Sequence, residues 1–367
     1  RAAGTYRFEV KTGTPADKAV VRAGTKMGRR TFRCLLSNEP LEYSYTRQQA
    51  KDQKLGCVLT CIVAETKRGR VYLPADAGHE RIGRTNASTW KPEELVTTPC
   101  HDVDRLPMYG MPMWGDAFTP RQLTALTTLS DLVREVRADI KAAALRADLS
   151  EDDAEAYVKV VCTFLALAVD RTADFNAAIC SWNNGNQKVM HVFGRQAIPM
   201  NWDFGEANTL GDSVGAWSTC CEYVADCVEV LTTGGTHRGE AAQVDAANGA
   251  SGVESLLVST DPPYYDNIGY AALSDFFYVW LRRSLGDLYP DLFSTMLVPK
   301  TRELTASPER FDGDKEKAKQ HFESGFRHAF SKLRDRLDPR VPLTVYYAFK
   351  QNDDDERRVA ANGVPEK

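Results

Sequence analysis

The tetrapeptide Asp261-Pro262-Pro263-Tyr264 carries the clearest chemistry in the sequence. The two prolines lack an N–H and fix their φ angles, so they predict a rigid turn with outward carbonyl groups. The Asp261 carboxylate and the Pro262 carbonyl can together accept both hydrogens of a planar amino group, and the Tyr264 ring offers a surface on which a base can stack. An amino group of adenine or cytosine lies inside a duplex, so its base must flip out to reach such a pocket. The alternative interpretation is a plain turn.

The elements around this motif predict a parallel α/β unit. Residues 254–260 form a short apolar run typical of a buried parallel strand, which would place the motif at its carboxyl end. Residues 273–285 and 314–337 have helical periodicity, and residues 342–349 are predicted as a second buried strand. Strand, helix, helix, strand in this order favours a sheet that binds its ligands at the carboxyl edge.

The rest of the chain divides by its patterning. Alternating stretches predict short strands at residues 6–10, 41–45, 58–63 and 70–73. Apolar residues at helical spacing predict helices over residues 119–145, from Ser150 through Ala168, and over 213–231. The predicted regions are a β-rich segment 1–75, a Pro- and Gly-rich linker 76–118, a helical insertion 119–235, a catalytic portion 236–351 and a polar tail 352–367.

Composition excludes several classes of protein. The 367 residues include 46 Lys+Arg and 50 Asp+Glu, which excludes a uniformly basic binder but leaves a local basic face open. No apolar run approaches the roughly 18 residues of a membrane span, and no signal-peptide core is present at the start, so no membrane partner is expected. Nine scattered cysteines predict reduced thiols and a cytoplasmic location.

A longer stretch around the motif resembles a known family. Residues 259–271 and 273–283 look like the long bacterial adenine-specific DNA methylases that carry a zinc ribbon, which are amino-methyltransferases often associated with restriction and phage defence. The resemblance covers nearly the whole chain except the last dozen or so residues, and it extends to residues 118–123, 167–171, 193–200, 202–204, 297–300 and 345–351.

This resemblance implies a fold, a cofactor and a set of site residues. The implied fold is α/β, a Rossmann-like class I methyltransferase sheet with a helical insertion, and the implied cofactor is S-adenosylmethionine. The catalytic residues would be Asp261, Pro262, Pro263 and Tyr264. Asp245 resembles the acidic end of the preceding strand near the adenosyl group, and a surface aspartate at a strand end is the alternative.

Side chains near the motif complete the candidate site. Tyr265 and Tyr270 are predicted to wall the base pocket, and Asn267 either contacts a base edge or caps the following helix. The nearest basic cluster in the sequence comprises Arg282, Arg283, Lys300 and Arg302, with phosphate contact as one interpretation and a solvated helix end as the other. The predicted DNA-backbone contacts are Arg282, Arg283 and Lys300.

Two features depart from the family pattern. The glycine-rich loop of the family, Asp-Pro-Phe-Ala-Gly-Gly-Gly, has no match, so the chain is expected to correspond to the later portion of a family member. The zinc knuckle is reduced to Cys34-Leu35-Leu36-Ser37, and Cys57 and Cys61 are interpreted as core residues. Because tetrahedral zinc needs four good ligands, a zinc-ribbon-like remnant without zinc is expected.

The sequence leaves three functions open. The first is methylation of DNA at adenine N6, and the second is methylation at cytosine N4, because the motif suits both amines. The third is a non-catalytic module that binds DNA or docks onto other subunits of a defence complex.

Overall fold

The computed structural model describes residues 8–28, 31–85, 88–96, 103, 105–232, 239, 241, 243–248, 255–265 and 268–347. The chain divides into two compact units. Unit 1 comprises residues 1–237 and 272–298, and unit 2 comprises residues 238–271 and 299–367. The candidate site lies in unit 2.

Unit 1 is mainly helical, with short antiparallel strand pairs. Its helices are α1 (Lys18–Ala23), α2 (Tyr43–Lys51), α3 (Ala77–Gly83), α4 (Arg105–Met108), α5 (Pro120–Glu135), α6 (Arg137–Arg146), α7 (Glu151–Phe175) and α8 (Trp217–Thr232), with a 3-10 turn at Trp114–Ala117. Its strands pair in sequence order: β1 (Thr31–Arg33) with β2 (Pro40–Glu42), β3 (Cys61–Thr66) with β4 (Gly69–Pro74), and β5 (Trp182–Asn183) with β6 (Lys188–Val189).

Helix α7 is the central element of unit 1. The Ser150 hydroxyl caps its start by accepting the Asp153 N–H, and three acids occupy the first turn, where the helix dipole favours negative charge. Its buried face includes Val158, Cys162 and Val169, which pack against α5, α6 and α8. The predicted helix from Ser150 through Ala168 is confirmed, and it continues to Phe175.

An aromatic cluster forms the core of unit 1. Phe276 and Trp280 lie on α9 (Tyr270–Leu285), a helix that begins in unit 2 and continues in unit 1, and both side chains are fully buried. The Phe118 ring stacks 5.5 Å from Phe276 and meets Trp280 edge-on at 5.3 Å. Trp114, also fully buried, contacts Phe276 at 6.2 Å. The linker predicted at 76–118 is therefore wrong, because this segment supplies large side chains to the core.

Two further predictions need correction. The alternating stretch 41–45 is a strand only to Glu42, and α2 begins at Tyr43. The single helix predicted over 119–145 is two helices, α5 and α6, which are separated only by Val136, where φ is −68° and ψ is −10°. The predicted strand 70–73 is confirmed within β4, whereas the strand predicted at 58–63 begins only at Cys61 and continues to Thr66; the two form the hairpin of β3 and β4.

Unit 2 contains a parallel strand pair and one long helix. Strand β7 (Ser259–Thr260) pairs with β8 (Thr344–Val345), and the N–H groups of Thr344 and Tyr346 donate to the carbonyls of Val258 and Thr260 at 3.0 and 2.8 Å. The predicted strands 254–260 and 342–349 are thus present as a parallel pair, over shorter lengths. Their predicted burial is wrong, because Ser259, Thr344 and Val345 are exposed.

The long helix of unit 2 is α10 (Lys315–Arg334), which follows a 3-10 turn at Pro308–Phe311. Its Ala318 and Phe322 form a small core with Ala306, and Phe326 packs against it. Each sheet in the described part of the chain has two strands, so the Rossmann-like sheet stays a prediction.

Candidate functional site

The Asp-Pro-Pro-Tyr motif begins directly after β7, at the carboxyl end of the parallel pair, as the sequence predicts. Asp261 is exposed, while Pro262, Pro263 and Tyr264 are half-buried. The carboxyl end of parallel strands is where open α/β sheets bind ligands. The motif is thus accessible at the edge where a ligand is expected.

The side chains of Asp261 and Tyr264 interact across the turn. The Tyr264 hydroxyl donates a hydrogen bond to the Asp261 carboxylate, and this bond raises the pKa of the Tyr264 phenol. A carboxylate has two oxygens with about four acceptor positions. Asp261 therefore retains acceptor capacity for an amino group while it holds the Tyr264 hydroxyl.

Tyrosine side chains surround the motif. The Tyr264 and Tyr347 rings meet edge-on with centroids 5.5 Å apart, and the Tyr265 ring meets Phe322 edge-on at 5.1 Å. The Tyr265 N–H donates to the Tyr347 hydroxyl at 3.1 Å. Sequence reasoning missed Tyr347 as a site residue. The sequence could have indicated Tyr347, because it lies just past β8 and parallel strands place their carboxyl ends at the same edge.

Tyr270 lies at the start of α9, close to the motif. Burial, and then the negative charges of Asp261 and Glu303, raise the pKa of the Tyr270 phenol. The Tyr265 and Tyr270 side chains are each 37% exposed, so both present aromatic surface to solvent. The third predicted pocket residue, Asn267, lies outside the described residues.

Glu303 connects the motif loop to the segment that follows residue 299. One carboxylate oxygen accepts the Ala271 N–H at 2.9 Å, in the first turn of α9, and the other pairs with the Arg310 guanidinium. The Glu303 carbonyl accepts from His321 Nε2 at 3.1 Å. The Ala306 N–H donates to the Tyr265 carbonyl at 2.7 Å. These contacts anchor Tyr265 and Ala271, and sequence reasoning did not identify Glu303.

Asp245 is not at the end of a strand, which corrects the sequence-based placement. Residues 245–248 form a turn in which the Asn248 N–H donates to the Asp245 carbonyl at 2.9 Å. The Asp245 carboxylate accepts from the Ala247 N–H at 3.0 Å and from Asn248 Nδ2 at 3.1 Å, and it lies 3.6 Å from the Arg302 guanidinium. An aspartate that caps its own turn in this way explains the geometry without a cofactor.

The predicted phosphate contacts at Arg282 and Arg283 are engaged in ion pairs within unit 1. Arg282 Nη1 lies 2.9 Å from Glu94 Oε1, and Arg283 Nη2 lies 2.8 Å from Asp131 Oδ1. These pairs account for both guanidinium groups without a phosphate, and DNA contact there stays a prediction.

Lys300, the third predicted phosphate contact, lies in unit 2 and is half-buried. Its carbonyl accepts from Arg310 Nη1 at 3.0 Å. Its role toward DNA also stays a prediction.

The cysteines and acids do not form a metal centre in the described part of the chain. No group of three or more His, Cys, Asp or Glu side chains there has an arrangement that could hold a metal ion. The eight described cysteines are all free thiols. Among the described helices, none has the length and apolar character needed to cross a membrane.

No protein-family model, curated protein or solved structure matches this chain. The resemblance to the DNA methylases therefore rests on the motif and segments given above.

Proposed function

We propose that this chain supplies the amine-binding half of a DNA amino-methyltransferase, and that its substrate is the N6 amino group of an adenine flipped out of the duplex. One observation carries the proposal. An exposed carboxylate, a proline carbonyl and a tyrosine ring lie together in the turn from Asp261 to Tyr264, at the carboxyl end of β7.

The first step is capture of the amine. The Asp261 carboxylate and the Pro262 carbonyl each accept one hydrogen of the amino group. Two acceptors on adjacent groups hold the nitrogen and turn its lone pair out of conjugation with the base. Positioning of this kind supplies most of the acceleration in a direct displacement, so no strong base is required.

The second step is retention of the flipped base. Flipping costs a few kcal/mol of unstacking and unpairing. Stacking on an aromatic side chain contributes roughly 1–3 kcal/mol of binding free energy per base. The Tyr264 ring supplies that surface, and the edge-on contact from Tyr347 supports it at 5.5 Å between centroids.

The cofactor implied by the family is S-adenosylmethionine, whose sulfonium carries a transferable methyl group. The described residues do not fit it. Both hydrogen-bonding partners of the Asp245 carboxylate belong to its own turn, and the sequence lacks the glycine-rich loop. We therefore assign these residues no role toward the cofactor. The proposal concerns only the amino group that receives the methyl group.

A second candidate function follows from that mismatch. The chain could act as a non-catalytic module that binds DNA or docks onto other defence-system subunits. The placement of Asp245 favours this candidate, since Asp245 lies in a turn and not at the strand end where the family pattern expects the acceptor for the adenosyl group. Cytosine N4 is the alternative amine, because the two acceptors at Asp261 and Pro262 do not distinguish it from adenine N6.

A binding experiment tests amine capture without a cofactor or a recognition sequence. Fluorescence anisotropy would compare three duplexes that each carry one bulged base: adenine, cytosine or thymine. A bulged base is already unpaired, so little flipping energy is needed. We expect the chain to prefer bulged adenine over bulged thymine, which has no amino group, by about tenfold, the range for hydrogen bonds to a charged acceptor.

Two variants make this experiment decisive. Asp261→Ala should abolish the preference, and Asp226→Ala, at an exposed position of α8, should retain it. Equal affinity of the wild type for all three bulges would contradict the proposal and, with a steep salt dependence, would support the non-catalytic module. The relative affinity of the wild type for bulged adenine and bulged cytosine then distinguishes adenine N6 from cytosine N4.

A further inference from the structure

A cavity of ≈ 390 Å³ lies in unit 1, away from any role in the function proposed above. Side chains that line it include Ser181, Trp182, Asn183, His191, Arg195 and Asn201. Ligand pockets range from about 300 to 1,000 Å³, so this cavity suits one small molecule.

The walls of the cavity are anchored by the backbone. The Met190 N–H donates to the Ser181 carbonyl at 2.8 Å, across the hairpin of β5 and β6. The Val192 N–H donates to the Asp174 carbonyl at 2.9 Å, and the Gly205 N–H donates to the Cys180 carbonyl at 2.9 Å. These hydrogen bonds hold together the segments that line the cavity.

The polar lining favours an anion. No carboxylate is among the described residues that line the cavity, whereas Arg195 and His191 are both present. Arg195 is exposed, and its guanidinium has no ion-pair partner in the described part of the chain. His191 Nδ1 lies 3.7 Å from the Asp174 carboxylate. A guanidinium without a partner matches the geometry of a phosphate, which it binds through two parallel N–H groups.

The remaining lining suits a planar ring with polar edges. Trp182 supplies an aromatic surface, and the Tyr72 ring meets it edge-on at 6.4 Å. The Asn183 side-chain oxygen accepts the Asn186 N–H at 2.8 Å, which leaves the amide NH2 of Asn183 for another acceptor. Asn201 donates to the Ile179 carbonyl and is fixed in place.

We propose that this cavity binds a nucleotide, with its phosphate on Arg195, its base against Trp182 and its polar edges on the asparagine amides. This proposal does not depend on the function of the Asp261 motif. It also gives a role to Arg195, for which the motif chemistry provides none. A free mononucleotide and the phosphorylated end of a strand offer the same chemistry.

Isothermal titration calorimetry with the full chain tests the proposal. The probes are AMP, adenosine, inorganic phosphate and a 5′-phosphorylated hexanucleotide. We expect AMP or the hexanucleotide to bind, and adenosine and phosphate each to bind at least about tenfold more weakly, because each lacks one half of the contacts. Tighter binding of AMP than of the hexanucleotide identifies a free nucleotide as the ligand, and the reverse identifies a strand end.

Variants locate the binding to this cavity. Arg195→Gln should weaken the binding of the better probe about tenfold or more, while Arg146→Gln, at an exposed position on α6, should leave it unchanged. Trp182→Phe keeps an aromatic ring, so it should weaken binding less than Trp182→Ala, and thermal melting would confirm that both variants fold. The proposal is overturned if neither AMP nor the hexanucleotide binds the wild type, or if Arg195→Gln binds as the wild type does.

Discussion

The ring of Tyr347 meets the ring of Tyr264 edge to face, with centroids 5.5 Å apart and planes at 80°. Tyr347 follows β8 and Tyr264 follows β7. Because the two strands run parallel, their carboxyl ends lie at the same edge, and residues distant in sequence meet there. Tyr347 therefore supports the ring on which we propose that a base stacks.

Two substitutions at Tyr347 distinguish the role of its ring from the role of its hydroxyl. Tyr347→Phe keeps the ring contact and removes the acceptor of the Tyr265 N–H. Because that N–H can donate to water instead, we expect the free energy of unfolding to fall by about 1 kcal/mol or less. Its preference for bulged adenine should persist. Tyr347→Ala removes the support and should reduce that preference; an equal effect of both variants would contradict a role for the ring.

Replacing Tyr264 tests the stacking surface itself. Tyr264→Phe keeps the ring and releases the Asp261 carboxylate from its internal hydrogen bond, so bulged adenine should bind at least as tightly as in the wild type. Tyr264→Ala removes the surface and should weaken binding by about 1–3 kcal/mol. Anisotropy titrations of both variants measure this, and retention of full affinity by Tyr264→Ala would refute stacking at this residue.

The site was more predictable from sequence than the elements around it. Asp261 and the apolar run before it gave a correct strand end, because an apolar run that stops at two prolines has few other interpretations. Tyr43 shows the opposite case: residues 41–45 alternate like a strand, yet a stretch this short does not distinguish a period of 2 from 3.6, and α2 begins there.

Burial was also hard to predict where it depends on distant partners. Trp114 lies in a Pro- and Gly-rich segment, and its full burial follows from Phe276, far along the chain. Asp245 was placed at a strand end from its neighbours in sequence, but its own carboxylate closes a turn. Glu303 carries no local motif, and its contacts at Ala271 and Arg310 exist only in the folded chain.

The aromatic core of unit 1 should be sensitive to truncation at Phe276. This ring contacts Trp114, Phe118, Phe193 and Phe277, and its side chain is fully buried. Phe276→Ala should lower the free energy of unfolding by about 3–5 kcal/mol, as for other buried aromatic residues. Urea titration followed by tryptophan fluorescence measures the loss. Leu210→Ala, at a side chain 91% exposed, is the control and should change stability little.

A buried carboxyl on α7 makes stability depend on pH. Burial, and then the charge of Asp174, raises the pKa of Asp170 well above its ordinary value, and Asp170 Oδ1 has no hydrogen-bond partner among the described residues. Above the unfolded pKa of about 3.9 the unfolded chain releases this proton while the folded chain keeps it, so the contribution to stability falls as pH rises.

Asp170→Asn removes this dependence. The variant should gain stability over the wild type as the pH rises from 5 to 8, up to the folded pKa of Asp170. Thermal melting across this range measures the difference, with Asp226→Asn as the exposed control. A difference that stays constant with pH would show that Asp170 does not titrate as described.

The thiols should differ widely in reactivity. Burial raises the pKa of Cys180 to about 12, whereas Cys227 is exposed on α8. Because the thiolate is the reactive species, an alkylating reagent at pH 7.5 should modify Cys227 rapidly and Cys180 only after urea is added. Mass spectrometry of digested peptides follows each site, and equal rates in the native protein would contradict the burial of Cys180.

The hydrogen bond between Ala271 and Glu303 affects the cost of binding a ligand at the motif. The Tyr265 N–H donates to the Tyr347 hydroxyl, just past β8, and the Ala271 N–H donates to the Glu303 carboxylate. Fixing the backbone of one residue costs about 1–2 kcal/mol of conformational entropy. At these two residues that entropy is lost when the chain folds, so an incoming base does not have to order them when it binds.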